Sequence, residues 1–217
     1  DINRTINAMS EIIKTPTTAP WAVGRAFEIG GALGKQIIVV NDGPGFYTTR
    51  ALAFFLSEAA LILEEGVNIE NIDKALTRFG FPVGPITLMD EVGIDVGGHV
   101  LKTMEEAFPE RFAAPKNLHQ LEDSGRLGRK NNKGFYKYQN GKKLDPDPEI
   151  YRLLGITEHS EMKEHEIVDR CLLLFINESI RCLDEEILSN PYDADVGAVF
   201  GLGFPPFWGG PCKYVDH

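Results

Sequence analysis

Phe79-Gly80-Phe81-Pro82, followed by Gly84-Pro85 and then Asp90, returns late in the chain as Leu202-Gly203-Phe204-Pro205, followed by Gly210-Pro211 and then Asp216. The stretches that lead into these turns repeat as well. Arg50 precedes Ser57-Glu58-Ala59 at the spacing by which Arg170 precedes Asn177-Glu178-Ser179, and Glu64-Glu65-Gly66 falls near the place of Asp184-Glu185-Glu186. The second copy carries a short insertion around Phe207-Trp208. Ordered self-similarity of this kind marks a duplicated supersecondary unit. Two copies of one fold tend to pack about a pseudo-twofold axis, as the chains of a homodimer do.

The copies read as helical. Leu52, Phe55, Leu56, Ala59, Ile62 and Leu63 recur at helical spacing, while Phe54, Ala60 and Leu61 fill much of the other face. A helix apolar nearly all round is usually buried. Ile69 to Phe79 reads as a second helix with Asn68 as its N-cap. Further helical stretches run from Ile86 to Met89, over 95–107, and from Ile167 to Leu188. Glu58 and Glu178 sit at matching places inside apolar helices, and a buried carboxylate needs partners. The expectation is that each ties down the backbone of its own Gly-Phe-Pro turn.

Upstream the texture is different. Lys14-Thr15-Pro16-Thr17-Thr18-Ala19-Pro20 is turn-like, Trp21 to Leu33 is helical, Gly34 is a terminator, and Ile37-Ile38-Val39-Val40 reads as a single buried strand. Asn41-Asp42-Gly43-Pro44-Gly45 then breaks the chain. This is the end of an α/β unit whose other strands lie elsewhere. Between the two copies, Gly125 to Tyr138 reads as a loop rich in glycine, bases and aromatics, and 139–164, with Asp145-Pro146-Asp147-Pro148, reads as a linker.

The bulk chemistry excludes several classes of function. A formal net charge of −10 opposes general nucleic-acid binding. No apolar run is long enough for a membrane helix. Cys171, Cys182 and Cys212 are an odd set with no short spacing, poor for disulfides or zinc, and they point to reduced thiols in a cytosol-like compartment. A start at Asp1 without Met, and an end at Val215-Asp216-His217, read as the ends of a fragment.

Several motifs, taken in order, carry a family resemblance. Asp42-Gly43-Pro44-Gly45-Phe46 with Thr49-Arg50 resembles the junction between the two domains of 3-hydroxyacyl-CoA dehydrogenases. Gly80-Phe81-Pro82 with Gly84-Pro85 and Asp90, then Gly128-Arg129-Lys130 with Gly134-Phe135-Tyr136-Lys137-Tyr138, resemble that family's next signatures. Glu11-Ile12-Ile13-Lys14-Thr15-Pro16 and Gly34-Lys35 are similar to the end of its NAD-binding domain. Tyr47-Thr48-Thr49-Arg50 and the second copy, notably Gly197 to Pro206 and Gly209-Gly210-Pro211, are similar to the duplicated domain of α-subunits of fatty-acid oxidation complexes and trifunctional enzymes.

The resemblance implies NAD-dependent oxidation of a 3-hydroxyacyl-CoA to the 3-ketoacyl-CoA in fatty-acid β-oxidation. In the family a histidine takes the hydroxyl proton, and a glutamate orients that histidine. Glu11 occupies the glutamate position; the histidine lies about a dozen residues earlier, outside this chain. His99, His119, His159, His165 and His217 lie elsewhere and read as surface residues. Thr49 stands where most relatives carry Asn beside the substrate carbonyl, and it reads equally well as a helix N-cap. Arg126, Arg129, Lys130 and Lys133 form a basic cluster; Arg129 and Lys130 are the candidates for the phosphates of CoA, against the plainer reading of a loop held down by its aromatics. No Gly-rich dinucleotide fingerprint is present, so NAD is expected to be held mainly by residues outside this chain.

The resulting expectation is a mainly α chain with two related helical domains of the 6-phosphogluconate dehydrogenase C-terminal type, preceded by a remnant helix and strand of a Rossmann domain. Residues 1–42 are the remnant, 43–138 the first helical domain, 139–164 the linker and 165–217 a second, truncated repeat packed on the first. By itself the piece is expected to be inactive. The competing readings are a non-catalytic helical module that docks partner subunits, such as a thiolase β subunit, and a dehydrogenase for another hydroxy acid. The expected location is the bacterial cytoplasm or the mitochondrial matrix.

Overall fold

The computed structural model describes residues 9–216 and is mainly helical. Contacts divide it into two compact units, one running to Leu52 and resuming at Phe175, the other spanning Ala53–Leu174. Both boundaries fall inside long helices.

The first unit begins with β1 (Met9–Lys14), α1 (Pro20–Ala32) and β2 (Gln36–Asn41). The strands are parallel neighbours, Glu11 opposite Ile38 and Ile13 opposite Val40. The sequence led us to expect one strand here, and there are two. Six residues with only Ile12 and Ile13 as β-branched members are too few to declare a period; the ladder to β2 makes them a strand. Helix α1, bounded by Pro20 and Gly34, has no buried residue, and it exposes Trp21, Phe27 and Ile29, with Leu33 exposed just past its end.

Helix α2 (Thr48–Glu64) starts in this unit, and helix α8 (Glu164–Asp184) ends in it. Helix α9 (Pro191–Leu202) lies against both strands. Small residues permit that approach: a Cβ on Gly197 would fall 2.8 Å from Ile38, and one on Gly201 would collide with Met9. The segment before α9 closes the free side of β2, where the Asn41 N–H donates to the Ile187 carbonyl at 2.8 Å. Asn190 caps α9 by accepting from the Asp193 N–H, and Gly203 ends it in the left-handed region. Helix α10 (Pro211–Val215) follows. The Asp195 carboxylate accepts from the Cys212 N–H at 2.8 Å and from the Lys213 N–H at 3.4 Å.

The second unit repeats these devices with other residues. Asn68 caps α3 (Ile69–Phe79) by accepting from the Glu70 N–H, as its place in the sequence predicts. Gly80 ends α3, and Gly84-Pro85 opens α4 (Pro85–Val92). The Asp73 carboxylate takes the Ile86 N–H at 2.8 Å and the Thr87 N–H at 3.1 Å. A Cβ on Gly84 would collide with the Asp73 side chain, as one on Gly210 would with Asp195. Phe55 meets Phe81 at 5.0 Å between ring centres, and in the first unit Phe175 meets Phe204 at 5.5 Å.

Helix α5 (Ile94–Ala107) packs Met104 against Phe54 and Phe112. After α6 (His119–Asp123) the chain forms the antiparallel pair β3 (Tyr136–Gln139) and β4 (Lys142–Pro146), then α7 (Glu149–Leu153). Residues 139–164, which composition alone marks as a linker, are thus folded onto this unit. Ile150 and Leu154 are buried, and fully buried Arg126 binds Asp147 at 2.8 Å and Glu149 at 2.6 Å. Polar composition concealed this because several charges of 139–164 form ion pairs within the unit rather than facing solvent.

Glu58 and Glu178, expected above at their own turns, each bind an arginine. Arg170 binds Glu58 at 2.6 Å and forks onto both oxygens of Glu65 at 2.7 Å. Buried Arg50 binds Glu178 at 2.5 Å and Glu185 at 2.8 Å. Each arginine therefore takes two glutamates that follow the other arginine in sequence. The turn-binding role belongs to Asp73 and Asp195, which lie nearer to those turns along the chain.

Buried Asp90 joins two of the sequence motifs. Its two oxygens accept from the Phe135 and Tyr136 N–H groups, both at 2.9 Å, and from the Tyr138 hydroxyl at 3.1 Å. Phe135, Tyr136 and Tyr138 are buried. Burial pushes the Asp90 carboxyl up from 3.8 to about 6, against these three donors, which pull it down. Between those values the folded chain binds a proton more tightly than the unfolded chain. The group's stabilisation is therefore complete below the unfolded value and is lost as pH rises through the folded one, by about 3 kcal/mol. We expect the stability difference between wild type and Asp90→Asn, read from urea midpoints, to shrink from pH 4 to pH 7. A difference that is flat or grows over that range contradicts the assignment.

Candidate functional site

The first unit places a carboxylate at the start of a long helix. Glu11 comes from the middle of β1, and Tyr47 and Thr48 stand where Gly43-Pro44-Gly45 releases the chain into α2. Glu11 Oε1 accepts from the Tyr47 N–H at 2.9 Å and the Thr48 N–H at 3.3 Å, and Oε2 accepts from the Thr48 hydroxyl at 2.7 Å. A helix N-terminus has unsatisfied N–H groups and a positive dipole end, so an anion there is favoured. Glu11 thus caps α2 from another element. The entry to α2 is fixed on its inner side too: the Tyr47 ring is fully buried, and its hydroxyl donates to the Ala194 carbonyl at 2.8 Å.

Thr49 lies in the first turn of α2, one residue inside its start, and is exposed. Its reading as an N-cap does not hold, because Glu11 serves the first N–H groups. Thr48, which the sequence did not single out, is the threonine that touches Glu11. Only its place next to Thr49 hinted at this, since the pairing depends on which side of the first turn faces β1.

A recess of about 620 Å³ opens at the carboxyl ends of β1 and β2. Lys14, Thr15, Val23, Val39, Asn41 and Asp42 are among its walls. Carboxyl ends of parallel strands are where open α/β sheets bind ligands.

Arg129 and Lys130 belong to the second unit, at a short turn of 3-10 helix (Arg129–Asn131). Arg129 binds Glu91 at 2.7 Å and Lys130 binds Asp95, and both side chains are partly exposed. Of the other bases in that cluster, Arg126 is committed to the interior. The loop reading is sound for the aromatics, which are buried. His99, His119, His159 and His165 are exposed, as the sequence suggests, and His217 lies outside the described residues.

Residues 45–138 match the family described as 3-hydroxyacyl-CoA dehydrogenase, C-terminal domain. The matched stretch starts in the glycine turn before α2 and ends within β3. The fatty acid oxidation complex subunit alpha of Shewanella sp. (strain MR-4) is 46% identical over 211 residues, covering 95% of this chain and 30% of that protein. The chain thus spans less than a third of the length of that relative. The dehydrogenase part of multifunctional enzyme 1 from C. elegans superposes with a TM-score of 0.64 at 28% identity, over 91% of this chain and 46% of that one. A 3-hydroxybutyryl-CoA dehydrogenase from Escherichia coli K12 shares the fold, with a TM-score of 0.78 at 22% identity over 96% of this chain and 60% of that one. Among the described residues, no helix is long and apolar enough to cross a membrane.

Proposed function

We propose that the chain is the helical part of a larger NAD-dependent 3-hydroxyacyl-CoA dehydrogenase of fatty-acid β-oxidation. One observation carries this reading: a strand carboxylate, Glu11, is seated on the N-terminus of α2 with its second oxygen on the Thr48 hydroxyl. In this reading Glu11 orients a base histidine supplied by chain outside this segment. The two N–H groups hold Oε1, which leaves Oε2 free to accept from an imidazole N–H as well as from Thr48. Exposed Thr49 turns its hydroxyl to the substrate oxygen.

The recess at Lys14, Thr15 and Asn41 fits the reactive end of a dinucleotide, because its walls combine these polar groups with Val23 and Val39. It does not fit the pyrophosphate, for which a glycine-rich turn at a helix N-terminus is the usual cradle. NAD, when bound, supplies the hydride acceptor. The residues here hold and orient the base and the substrate. Arg129 and Lys130 exchange Glu91 and Asp95 for the phosphates of the CoA ester.

The reciprocal arginine pairing supports a pseudo-twofold packing of two helical repeats within one chain. When i binds j and j binds i, the interface is that of a twofold. Matching Asn caps, Asp anchors and Phe pairs in the two units support duplication. The boundaries 1–42, 43–138, 139–164 and 165–217 are retained as the division by descent. The Shewanella relatives favour a bacterial cytoplasm.

The second reading is a docking module for partner subunits such as a thiolase β subunit. The exposed apolar residues of α1 favour it, although in the first reading the rest of the NAD-binding domain covers them. The test is reduction of a 3-ketoacyl-CoA by NADH. We expect turnover from the full chain that contains this segment and none from residues 1–217 alone. In the full chain, replacing Arg129 and Lys130 with Ala should raise KM for the CoA ester and spare a pantetheine ester. A full chain that lacks turnover yet binds the thiolase selects the second reading.

A further inference from the structure

The Thr48 hydroxyl does something that a helix cap does not need. The first-turn N–H groups of Tyr47 and Thr48 already have an acceptor in Glu11 Oε1. The hydroxyl reaches the other oxygen, Oε2, at 2.7 Å. A carboxylate held by one oxygen still turns about its Cγ–Cδ bond; one held by both does not. We infer that Thr48 is a positioning residue of the dehydrogenase reaction, which fixes the plane of the Glu11 carboxylate so that the remaining lone pair of Oε2 points at the base. The inference rests on the reading of Glu11 given under Proposed function.

The geometry makes the role specific to a hydroxyl at this one position. Thr48 is half-buried, so its bond to a carboxylate is shielded from competing water, and a charge-assisted hydrogen bond of this length is among the stronger kinds. Supporting donors of this sort orient a reacting group without touching substrate. Exposed Thr49 stands one residue further along the helix, so the two adjacent threonines divide the work: Thr48 serves the glutamate and Thr49 the substrate side.

The experiment uses the full chain containing this segment, assayed with NADH and a 3-ketoacyl-CoA over pH 5 to 9. Thr48→Val keeps the shape and the backbone N–H but removes the hydroxyl. It should lower kcat about 10-fold, leave KM within about twofold and shift the pH profile, because the base loses a fixed partner. Thr48→Ser should restore kcat. Melting temperature is followed for both variants, so that a fall in kcat from misfolding shows itself as a lost transition. Thr48→Val with unchanged kcat and pH profile, or Thr48→Ser as impaired as Thr48→Val, overturns the inference. Glu11→Gln separates the two levels: if it is fully active, the reading of Glu11 itself fails; if it is inactive while Thr48→Val is normal, only the role of Thr48 fails.

Discussion

Replacing Glu178 with Gln should cost the chain about 3–5 kcal/mol of stability, the range for breaking one side of a buried ion pair. Arg50 is 1% exposed and has Glu178 at 2.5 Å, itself 1% exposed. A guanidinium cannot shed its charge, so removing its partner leaves a desolvated cation. Glu185 compensates only in part, since its side chain is 36% exposed and its attraction is weakened by solvent. Arg50→Met should also destabilise, because Glu178 loses the guanidinium that neutralises its buried charge. Joining Arg50→Met with Glu178→Leu should recover most of the loss, because a well-packed apolar pair replaces a charged one at little net cost. Urea midpoints of the two single variants and the double variant decide the matter. Single variants within about 1 kcal/mol of wild type would mean that water reaches this pair. The related pair around Arg170 offers a control: its arginine is 29% exposed, so Glu58→Gln should cost less than Glu178→Gln.

The second large effect is expected at Asp73. Its two oxygens take the Ile86 and Thr87 N–H groups, the Thr87 hydroxyl at 2.5 Å and the Tyr136 hydroxyl at 2.7 Å. Asp73→Ala frees buried donors at the start of α4 and on β3 together, at about 1–3 kcal/mol for each group that water cannot reach. A total of about 4 kcal/mol follows, with some relief because a methyl group leaves room for a water. Burial, with Asp73 beside it, already pushes the Tyr136 hydroxyl far above its ordinary range, so it remains a donor at every pH of interest. Asp195 holds the matching turn with two N–H groups, one of them at 3.4 Å, and it is only half-buried. Asp195→Ala should therefore cost about 1–2 kcal/mol. Equal costs for the two, read from urea midpoints, would mean that the two turns depend on their aspartates to the same degree.

Much of this was legible in the residues. Apolar spacing marked the helices from α1 to α5 and α8, and Asn68 and Gly80 marked the ends of α3 because caps are local chemistry. Self-similarity was legible because Arg50, Glu58, Phe81 and Gly84 have counterparts in order along the chain. What these residues do was not legible. Glu58 was assigned to the turn of its own copy, yet its partner is Arg170, 112 residues away. Strand β1 is not legible in the sequence because a strand of six residues is defined by the neighbour it pairs with, and the charges of 139–164 conceal Ile150 and Leu154.

For the candidate site the division is the same. Glu11 and Thr49 stand out in the sequence only through the family resemblance, which places a glutamate and a substrate-side residue at these positions. Which threonine meets the carboxylate was decided by the fold. Neighbouring residues on a helix point about 100° apart, so only the placement of β1 against the first turn of α2 selects Thr48 over Thr49.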